Sequence, residues 1–274
     1  MPEKAKPEKA KPEKIVQVVQ ITDSHLRREP DGKLLGVNTR DSFDAVLELV
    51  RANHPSPDIV LATGDIAQDG EAAAYHCFRE KTAFFDCPVC CIAGNHDDAD
   101  TMERVLGGGK SLSRQVRIGN WQLVMLNSSV KGQVFGEIGS SDLALLERAL
   151  DDSSGLNCLV CFHHQPIDIQ CQWLDAIGLH NRDRLFDILG QYDHVRAVLW
   201  GHIHQELDQI IDNIRYLATP STCVQFAPKT RDFTVDDQAP GYRWLELHPG
   251  GDIHSGVIRV ESRDFGVDRN SRGY

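Results

Sequence analysis

Residues 15–25 read Ile-Val-Gln-Val-Val-Gln-Ile-Thr-Asp-Ser-His, a short apolar run that ends directly in a carboxylate and an imidazole side chain. The run is rich in β-branched residues and is bounded like a buried strand rather than a helix. Runs of the same kind recur along the chain, at 58–63, 88–93, 122–127, 158–162 and 196–200. We therefore predict six such strands, the first of which leads straight to Asp23 and His25.

Helical periodicity fills the gaps between these strands. The clearest case is the segment 39–53, whose apolar residues follow the i, i+3, i+4, i+7 spacing of an amphipathic helix. We predict further helices over roughly 71–85, 100–106 and 142–151. Apolar strands that alternate with helices indicate an α/β protein whose helices cover the faces of the sheet.

The C-terminal third follows a different pattern. The segments 242–248 and 253–260 are β-rich, and Pro249-Gly250-Gly251 between them is typical of a hairpin turn. Because no helix separates these strands, we expect this third of the chain to form a second, more antiparallel sheet. The predicted fold class is α/β, with two mixed β-sheets packed as a four-layer α/β/β/α sandwich flanked by helices.

The domain organisation is simple. Residues 1–14 repeat Pro-Glu-Lys with almost nothing apolar, so we expect a disordered low-complexity tail. No linker composition interrupts the remainder, which predicts one domain over 15–265. The last residues, 266–274, are polar and are expected to be loosely ordered.

Composition limits the partners and the compartment. The formal net charge is −11 without an evident basic patch, which disfavours nucleic acid as a partner. No segment reaches the ~18 consecutive apolar residues of a membrane span, and the N-terminus lacks a signal-peptide pattern. We expect no membrane association and a cytoplasmic location, and the oligomeric state stays open.

Eight cysteines raise the question of a zinc site or a disulfide framework. Cys87 and Cys90, like Cys158 and Cys161, have the spacing of a zinc half-site. Both pairs lie inside apolar runs, where alternate side chains of a strand point to opposite faces. Reduced thiols in the core are therefore the favoured interpretation.

Side chains that can bind metal ions (Asp, Asn and His) follow five of the predicted strands at the point where each strand ends. These are Asp23 and His25, Asp65, Asn95 with His96 and Asp97, His163 with His164, and His202 with His204. Because ligands bind at the carboxyl ends of strands in α/β sheets, we expect these groups to meet at one edge. Oxygen and nitrogen atoms of this kind bind Mn, Fe or Zn ions. The side chains are too numerous to bind a single ion. A carboxylate that bridges two ions ~3.5–4 Å apart accounts for the number.

The motifs, in this order, resemble those of the calcineurin-like metallophosphoesterase family. They are Asp23-x-His25, Gly64-Asp65, Gly94-Asn95-His96-Asp97, His163 and Gly201-His202-x-His204. Longer stretches are similar to the bacterial class III 3',5'-cyclic AMP phosphodiesterases, among them 21–25, 162–166, 173–175, 201–206 and 219–223. The similarity extends from about Ile15 to the C-terminus and excludes the tail.

This resemblance implies a metallophosphoesterase fold and a phosphoric diester hydrolase that converts 3',5'-cyclic AMP to 5'-AMP. It implies attack on phosphorus by a hydroxide that bridges two metal ions, Fe and/or Mn first, with Zn, Mg or Co as alternatives. By position, Asp23, His25 and His204 would hold one ion, Asn95, His163 and His202 the other, and Asp65 would bridge both. His96 would be the catalytic acid. The substrate phosphate would lie against His25, Asp65, Asn95, His96 and His204.

Two other functions remain as alternatives. The same two metals would serve other small substrates, such as 2',3'-cyclic nucleotides or glycerophosphodiesters. A non-catalytic scaffold would show degenerate ligand positions, whereas every motif position is intact.

Some neighbouring residues receive weaker assignments. We expect His164 to be structural and to face away from His163, and Asp97 to turn its loop or support a ligand imidazole. Arg27 and Asn38 are candidates for substrate contact. Trp173 either stacks on adenine or packs its own loop.

Overall fold

A computed structural model describes residues 14–109, 111–261 and 263–273. Residues 1–13 of the predicted tail lie outside the described residues. Lys14, the last residue assigned to that tail, pairs its ammonium with Asp58. Near the other end, the backbone N–H of Asp268 donates to the carbonyl oxygen of Leu35 at 2.8 Å.

Among the described residues, every predicted strand and helix is present, together with five strands and two helices that the sequence pattern does not predict. The strands, in chain order, are β1 (Val16–Ile21), β2 (Lys33–Leu34), β3 (Val37–Asn38), β4 (Ile59–Thr63), β5 (Val89–Ile92), β6 (Gln115–Ile118), β7 (Trp121–Met125), β8 (Asn157–Cys161), β9 (Val195–Trp200), β10 (Leu207–Ile211), β11 (Ile214–Ala218), β12 (Gly241–Leu247) and β13 (Ile253–Arg259). The helices are α1 (Thr39–Asn53), α2 (Ala72–Thr82), α3 (Ala99–Leu106), α4 (Ser140–Asp151), α5 (Gln172–Asp175) and α6 (Arg182–Leu189).

Two mixed sheets form the centre of the molecule. The first has the strand order β13-β12-β1-β4-β5, and the second has the order β10-β11-β9-β8-β7-β6. The strands β1, β4 and β5 run parallel, as do β7, β8, β9 and β11. Antiparallel strands extend each sheet at its edges.

Three apolar layers hold these sheets and the helices together. Alternate residues of one strand serve different layers, so that Leu61 packs between the sheets while Val60 packs under α1 and α2. In the second sheet, Leu159 faces the layer between the sheets and Val160 faces α4 and α6. Strands buried on both faces are continuously apolar, which is why the sequence shows uninterrupted runs. The predicted four-layer α/β/β/α sandwich is confirmed.

The expectation that the C-terminal third forms the second sheet is wrong. The hairpin β12–β13 joins the first sheet through β1, with Val18 opposite Leu245. The second sheet is built from the middle of the chain, β6 to β11. Pairing between strands more than two hundred residues apart leaves no local signal, so the hairpin pattern identified the strands without showing their partner.

The cysteines and helices bear on two further expectations. Seven of the eight cysteines are buried and Cys87 is half-buried, as expected for thiols of the core. Over the described part of the chain, none of the helices combines the length and apolar character needed to cross a membrane.

Asn38 caps the N-terminus of α1, where its side-chain oxygen accepts from the backbone N–H groups of Arg40 and Asp41.

Candidate metal centre

The five predicted ligand loops meet at one edge of the paired sheets, as expected for the carboxyl ends of parallel strands. Five strands deliver the predicted ligands: β1 precedes Asp23 and His25, β4 Asp65, β5 Asn95, β8 His163, and β9 His202 and His204. All of these side chains are buried except Asn95, which is half-buried.

Distances between the side chains show how tightly they converge. Nε2 of His163 lies 3.1 Å from Oδ2 of Asp65, and Nε2 of His204 lies 3.3 Å from Oδ1 of Asp23. Nε2 of His25 lies 3.8 Å from Oδ2 of Asp65. Two sets of ligand atoms each lie within 4.8 Å of one another: Asp23, His25 and His204, and Asp23, Asp65 and His163.

Three of the imidazoles are held in one tautomer by oxygen atoms behind them. Nδ1 of His25 donates to Oε1 of Gln68 at 2.8 Å. Nδ1 of His163 donates to the carbonyl oxygen of Thr63 at 2.7 Å, and Nδ1 of His204 donates to that of Val224 at 2.8 Å. Since a carbonyl oxygen only accepts, each neutral ring keeps its Nε2 lone pair for the cluster.

The resulting arrangement fits cations. Nε2 of His25 and Nε2 of His204 face each other at 3.1 Å, and a shared positive ion removes the repulsion between two such lone pairs. Among the described residues, Oδ1 of Asn95 and both ring nitrogens of His202 are buried without a hydrogen-bond partner. Buried polar atoms are nearly always satisfied, so these unpaired atoms fit a role in binding cations.

The backbone at these positions is strained. Five of the predicted ligands have left-handed φ angles: Asp23 at 53°, His25 at 44°, Asp65 at 49°, His202 at 65° and His204 at 50°. This region costs an L-residue energy, and such strain clusters at functional sites. The left-handed conformation allows successive side chains to point to the same side, whereas an extended strand would place them on opposite faces. The amino-acid sequence does not indicate this conformation.

Two glycines permit the close approach of the loops. A Cβ atom at Gly64, whose φ is +98°, would collide with the ring of His163. A Cβ atom at Gly94 would collide with the carboxylate of Asp65. Both positions therefore need glycine so that the ligands can pack together.

Burial and neighbouring charges set the protonation states. Burial would raise the pKa of Asp65, but the positive charges of His163 and His96 hold that pKa well below its ordinary value. Burial would lower the pKa of His163, but the Asp65 carboxylate raises it to about 9. Burial lowers the pKa of both His25 and His202 well below the ordinary value. Neutral imidazole is the form that binds a metal ion, so His25 and His202 are ready to bind, whereas His163 would release its proton when an ion binds.

His96 lies at the rim of this cluster. Its backbone N–H donates to Oδ1 of Asp65 at 2.8 Å, and its Nδ1 donates to the carbonyl oxygen of Gln68 at 3.1 Å. Its ring meets that of His25 edge-on, with the ring centroids 4.9 Å apart. The ring is half-buried, which leaves it open to a molecule that enters from solvent.

Asp97 joins two of the ligand loops. Its Oδ1 accepts from the backbone N–H of Ala67 at 2.9 Å and from the hydroxyl of Tyr75 at 3.0 Å. Its Oδ2 accepts from the backbone N–H of Gly94 at 2.9 Å. Burial and the nearby Asp65 raise the pKa of Asp97 to about 6. Of the two roles considered from the sequence, the structure supports the loop-holding one.

The expectation that His164 faces away from His163 is wrong. Its ring lies 4.6 Å from that of His202 and 5.0 Å from that of His163, between centroids. The chain bends after β8, so the alternation of an extended strand does not apply there. Nδ1 of His164 pairs with Oγ of Ser128 at 2.8 Å. This hydroxyl also accepts from the backbone N–H of His163 at 3.2 Å. Sequence reasoning missed both Ser128 and Gln68.

The contacts of Trp173 and Arg27 bear on the roles that the sequence predicts for them. Trp173 packs edge-on against Phe226 and Phe233, with both centroid distances at 5.1 Å, which supports a role in packing its own loop. Arg27 forms an ion pair with Asp69 at 2.8 Å.

A polar cavity of about 400 Å³ opens beside His204. Its walls include Gln205, Gln225, Phe226 and Arg259. A larger cavity, of about 700 Å³, lies between α6 and the β10–β11 hairpin and shares no lining residue with the predicted ligands. The chemistry of the lining, rather than cavity size, therefore locates the site.

Buried carboxylates, imidazoles and an amide at the ends of five strands define a hydrolase-type centre for two metal ions. A family model described as calcineurin-like phosphoesterase matches residues 16–206, and the chain belongs to that family. Its clusters of His and Asp fit the dinuclear metal site of the family.

Relatives and solved structures agree with this assignment. The chain is 46% identical over 259 residues to the 3',5'-cyclic adenosine monophosphate phosphodiesterase CpdA of Pseudomonas aeruginosa, covering 94% of this chain and 95% of that one. It is 44% identical over 261 residues to CpdA of Escherichia coli K12, with the same coverage of both chains. A dimetal phosphatase from Danio rerio shares the fold, with a TM-score of 0.58 at 16% identity over 90% of this chain and 99% of that one.

Proposed function

We propose that this protein hydrolyses 3',5'-cyclic AMP to 5'-AMP at a dinuclear metal centre. The observation that carries the proposal is the convergence of six predicted ligands, which follow four strands, on one buried cluster. The printed names of the Pseudomonas and Escherichia relatives, which cover almost the whole chain, support this substrate.

One ion is assigned to Asp23, His25 and His204, whose ligand atoms lie within 4.8 Å of one another. The other is assigned to Asn95, His163 and His202, and Asp65 would bridge the two. The contact of 3.1 Å between Asp65 and His163, together with that of 3.8 Å between Asp65 and His25, supports the bridging position. We propose Fe and/or Mn as the native ions, with Zn, Mg or Co as alternatives, because the donors are imidazole and oxygen.

When bound, two such ions polarise phosphate oxygens and lower the pKa of a coordinated water. The side chains of the chain itself set the geometry around the phosphate. Hydrogen bonds from the Nδ1 atoms of His25, His163 and His204 fix these rings before substrate arrives. The fixed rings orient the phosphate without reorganisation during the reaction.

His96 is assigned as the general acid. Its Nδ1–H is committed to the carbonyl oxygen of Gln68, so a second proton can reside only on Nε2. Transfer of that proton to the departing 3'-oxygen completes cleavage of the P–O bond. We place the substrate phosphate against His25, Asp65, Asn95, His96 and His204, with the nucleoside directed toward the polar cavity beside His204.

A substrate panel tests the proposed activity. Metal-reconstituted protein should hydrolyse 3',5'-cyclic AMP faster than 2',3'-cyclic AMP or glycerophosphodiesters, and metal-free protein should hydrolyse none. A preference for either other substrate class would refute the cyclic AMP assignment and leave the two-metal reaction intact.

A variant pair tests the role of His96. His96→Ala should lower kcat by ~10²–10⁴-fold, the usual contribution of a general acid, while the metal content stays at that of wild type. His76→Ala removes an exposed imidazole elsewhere on the surface and should change neither quantity. Loss of bound metal from the His96 variant would instead show that His96 is a ligand.

We propose a cytoplasmic location, which the buried positions of the cysteines support because reduced thiols are typical there.

A further inference from the structure

A second group of metal-binding side chains lies on the outer hairpin β12–β13, outside the centre described above. It consists of Glu246, His248 and His254. Glu246 and His254 are directly opposite each other across the two strands. Glu246 lies opposite Gln17 near the start of β1, whereas Asp23 follows the end of that strand. At ~3.3 Å per residue, the group is roughly 20 Å from the dinuclear centre.

The three side chains converge without satisfying one another. Oε2 of Glu246 lies 3.6 Å from Nδ1 of His254 and 3.9 Å from Nε2 of His248. Both distances exceed those of a hydrogen bond. Nε2 of His248 is buried, and among the described residues it has no hydrogen-bond partner. A fourth atom placed between these three ligand atoms would account for their arrangement.

The spacing suits a transition-metal ion. Bonds of ~2.0–2.1 Å place tetrahedral ligand atoms about 3.3–3.4 Å apart, slightly less than the observed separations. The ligand atoms of the three residues all lie within 4.8 Å of one another, and the two imidazole centroids are 4.4 Å apart. Rotations of both imidazole rings, His248 as well as the exposed His254, would bring the ligand atoms to that spacing.

The scaffold behind the group is rigid. Nε2 of Gln17 donates to Oε1 of Glu246 at 3.2 Å and turns Oε2 toward the imidazoles. Nε1 of Trp121 donates to the carbonyl oxygen of His248 at 2.9 Å, and the backbone N–H of His248 donates to that of Asp252 at 2.9 Å. Metal ligands are characteristically held by such outer hydrogen bonds.

We propose that Glu246, His248 and His254 form a third metal site, which binds Zn²⁺ or a similar borderline divalent ion across the β12–β13 hairpin. Two imidazoles and one carboxylate match the three protein ligands of an open zinc site, whose fourth position is left to water. With one carboxylate, the set offers too few oxygen ligands for Ca²⁺ or Mg²⁺. A bound ion would connect the edge strand β13 of the first sheet to its neighbour β12.

Metal analysis of the loaded enzyme tests this site. Protein is dialysed against Zn²⁺ with a competing chelator, so that the dinuclear centre is filled with the same ion, and the bound Zn²⁺ is counted. Wild type should bind three Zn²⁺ per chain. His254→Ala, which alters an exposed side chain, should bind two. His180→Ala changes an exposed imidazole that belongs to no metal-compatible group among the described residues, and it should bind Zn²⁺ like wild type.

Two further measurements make the result independent of any one variant. Gln17→Ala should weaken Zn²⁺ binding by about tenfold, the lower end of the effect of losing an outer hydrogen bond to a ligand. Crystals soaked in Zn²⁺ should show anomalous scattering between Glu246, His248 and His254. Absence of a third metal equivalent in wild type, or equal Zn²⁺ binding by wild type and His254→Ala, would overturn the proposal.

Discussion

Replacement of Gln68 by Ala tests whether the residues behind the centre control it. Oε1 of Gln68 accepts the hydrogen bond from Nδ1 of His25 at 2.8 Å, and Gln68 itself is not a predicted ligand. Without that acceptor the ring of His25 can rotate, and its Nε2 is less basic. Loss of such a partner typically weakens metal affinity by 10–100-fold, or about 1.4–2.8 kcal/mol.

The fold should tolerate this change. Gln68 is half-buried, and its backbone N–H bond to the carbonyl oxygen of Leu26 at 3.1 Å does not involve the side chain. We therefore expect the melting temperature of the metal-free protein to be unchanged. The metal ion bound by His25 should bind with lower affinity. Gln191→Ala is the matched control, because it removes one exposed amide that donates to the carbonyl oxygen of Asp187 at the end of its own helix.

Competition titration with a chromophoric chelator measures the affinity directly. The Gln68 variant should lose one of two metal ions at chelator concentrations that leave wild type and the Gln191 variant fully loaded. Metal affinity within twofold of wild type, with normal turnover, would refute the role assigned to Gln68 and weaken the assignment of His25 as a ligand.

Two further predictions concern stability. Leu146, fully buried on α4, fills the layer behind the second sheet, so Leu146→Ala should lower the free energy of unfolding by ~2–5 kcal/mol in urea titrations. Ile210→Ala, at an exposed site, should change it by less than about 0.5 kcal/mol, and equal effects would contradict this core. The hydrogen-bonded ion pair with Arg215 lowers the pKa of Asp208 below its ordinary value. The stabilisation is therefore present above about pH 4 and is lost as pH falls through the lowered pKa. The difference in unfolding free energy between wild type and Asp208→Asn should shrink below that pH, and a pH-independent difference would argue against the pair.

Much of the fold could be predicted because its strands are buried on both faces. The runs that became β1, β4, β5, β8 and β9 are mainly apolar, and each is followed by its ligand residues. Local sequence therefore contained both the strand and the site at its end. The strand β10 mixes polar and apolar residues without alternation, because four of its five residues are exposed, and the sequence pattern does not predict it.

The remaining features depend on distant parts of the chain. The pairing of Val18 with Leu245 places the C-terminal hairpin in the first sheet, and neither segment encodes its partner. Gln68 supports His25 only because two loops meet at the sheet edge. The inward position of His164 follows from a bend after β8 that periodicity does not reveal.

The central claim is that two ions share the carboxylate of Asp65. A crystal structure of the manganese-loaded protein, with anomalous diffraction data, tests it most directly. We expect two anomalous peaks ~3.5–4 Å apart, with Asp65 between them, the side chains of Asp23, His25 and His204 around one, and those of Asn95, His163 and His202 around the other. A single peak, or two peaks without Asp65 between them, would contradict the account.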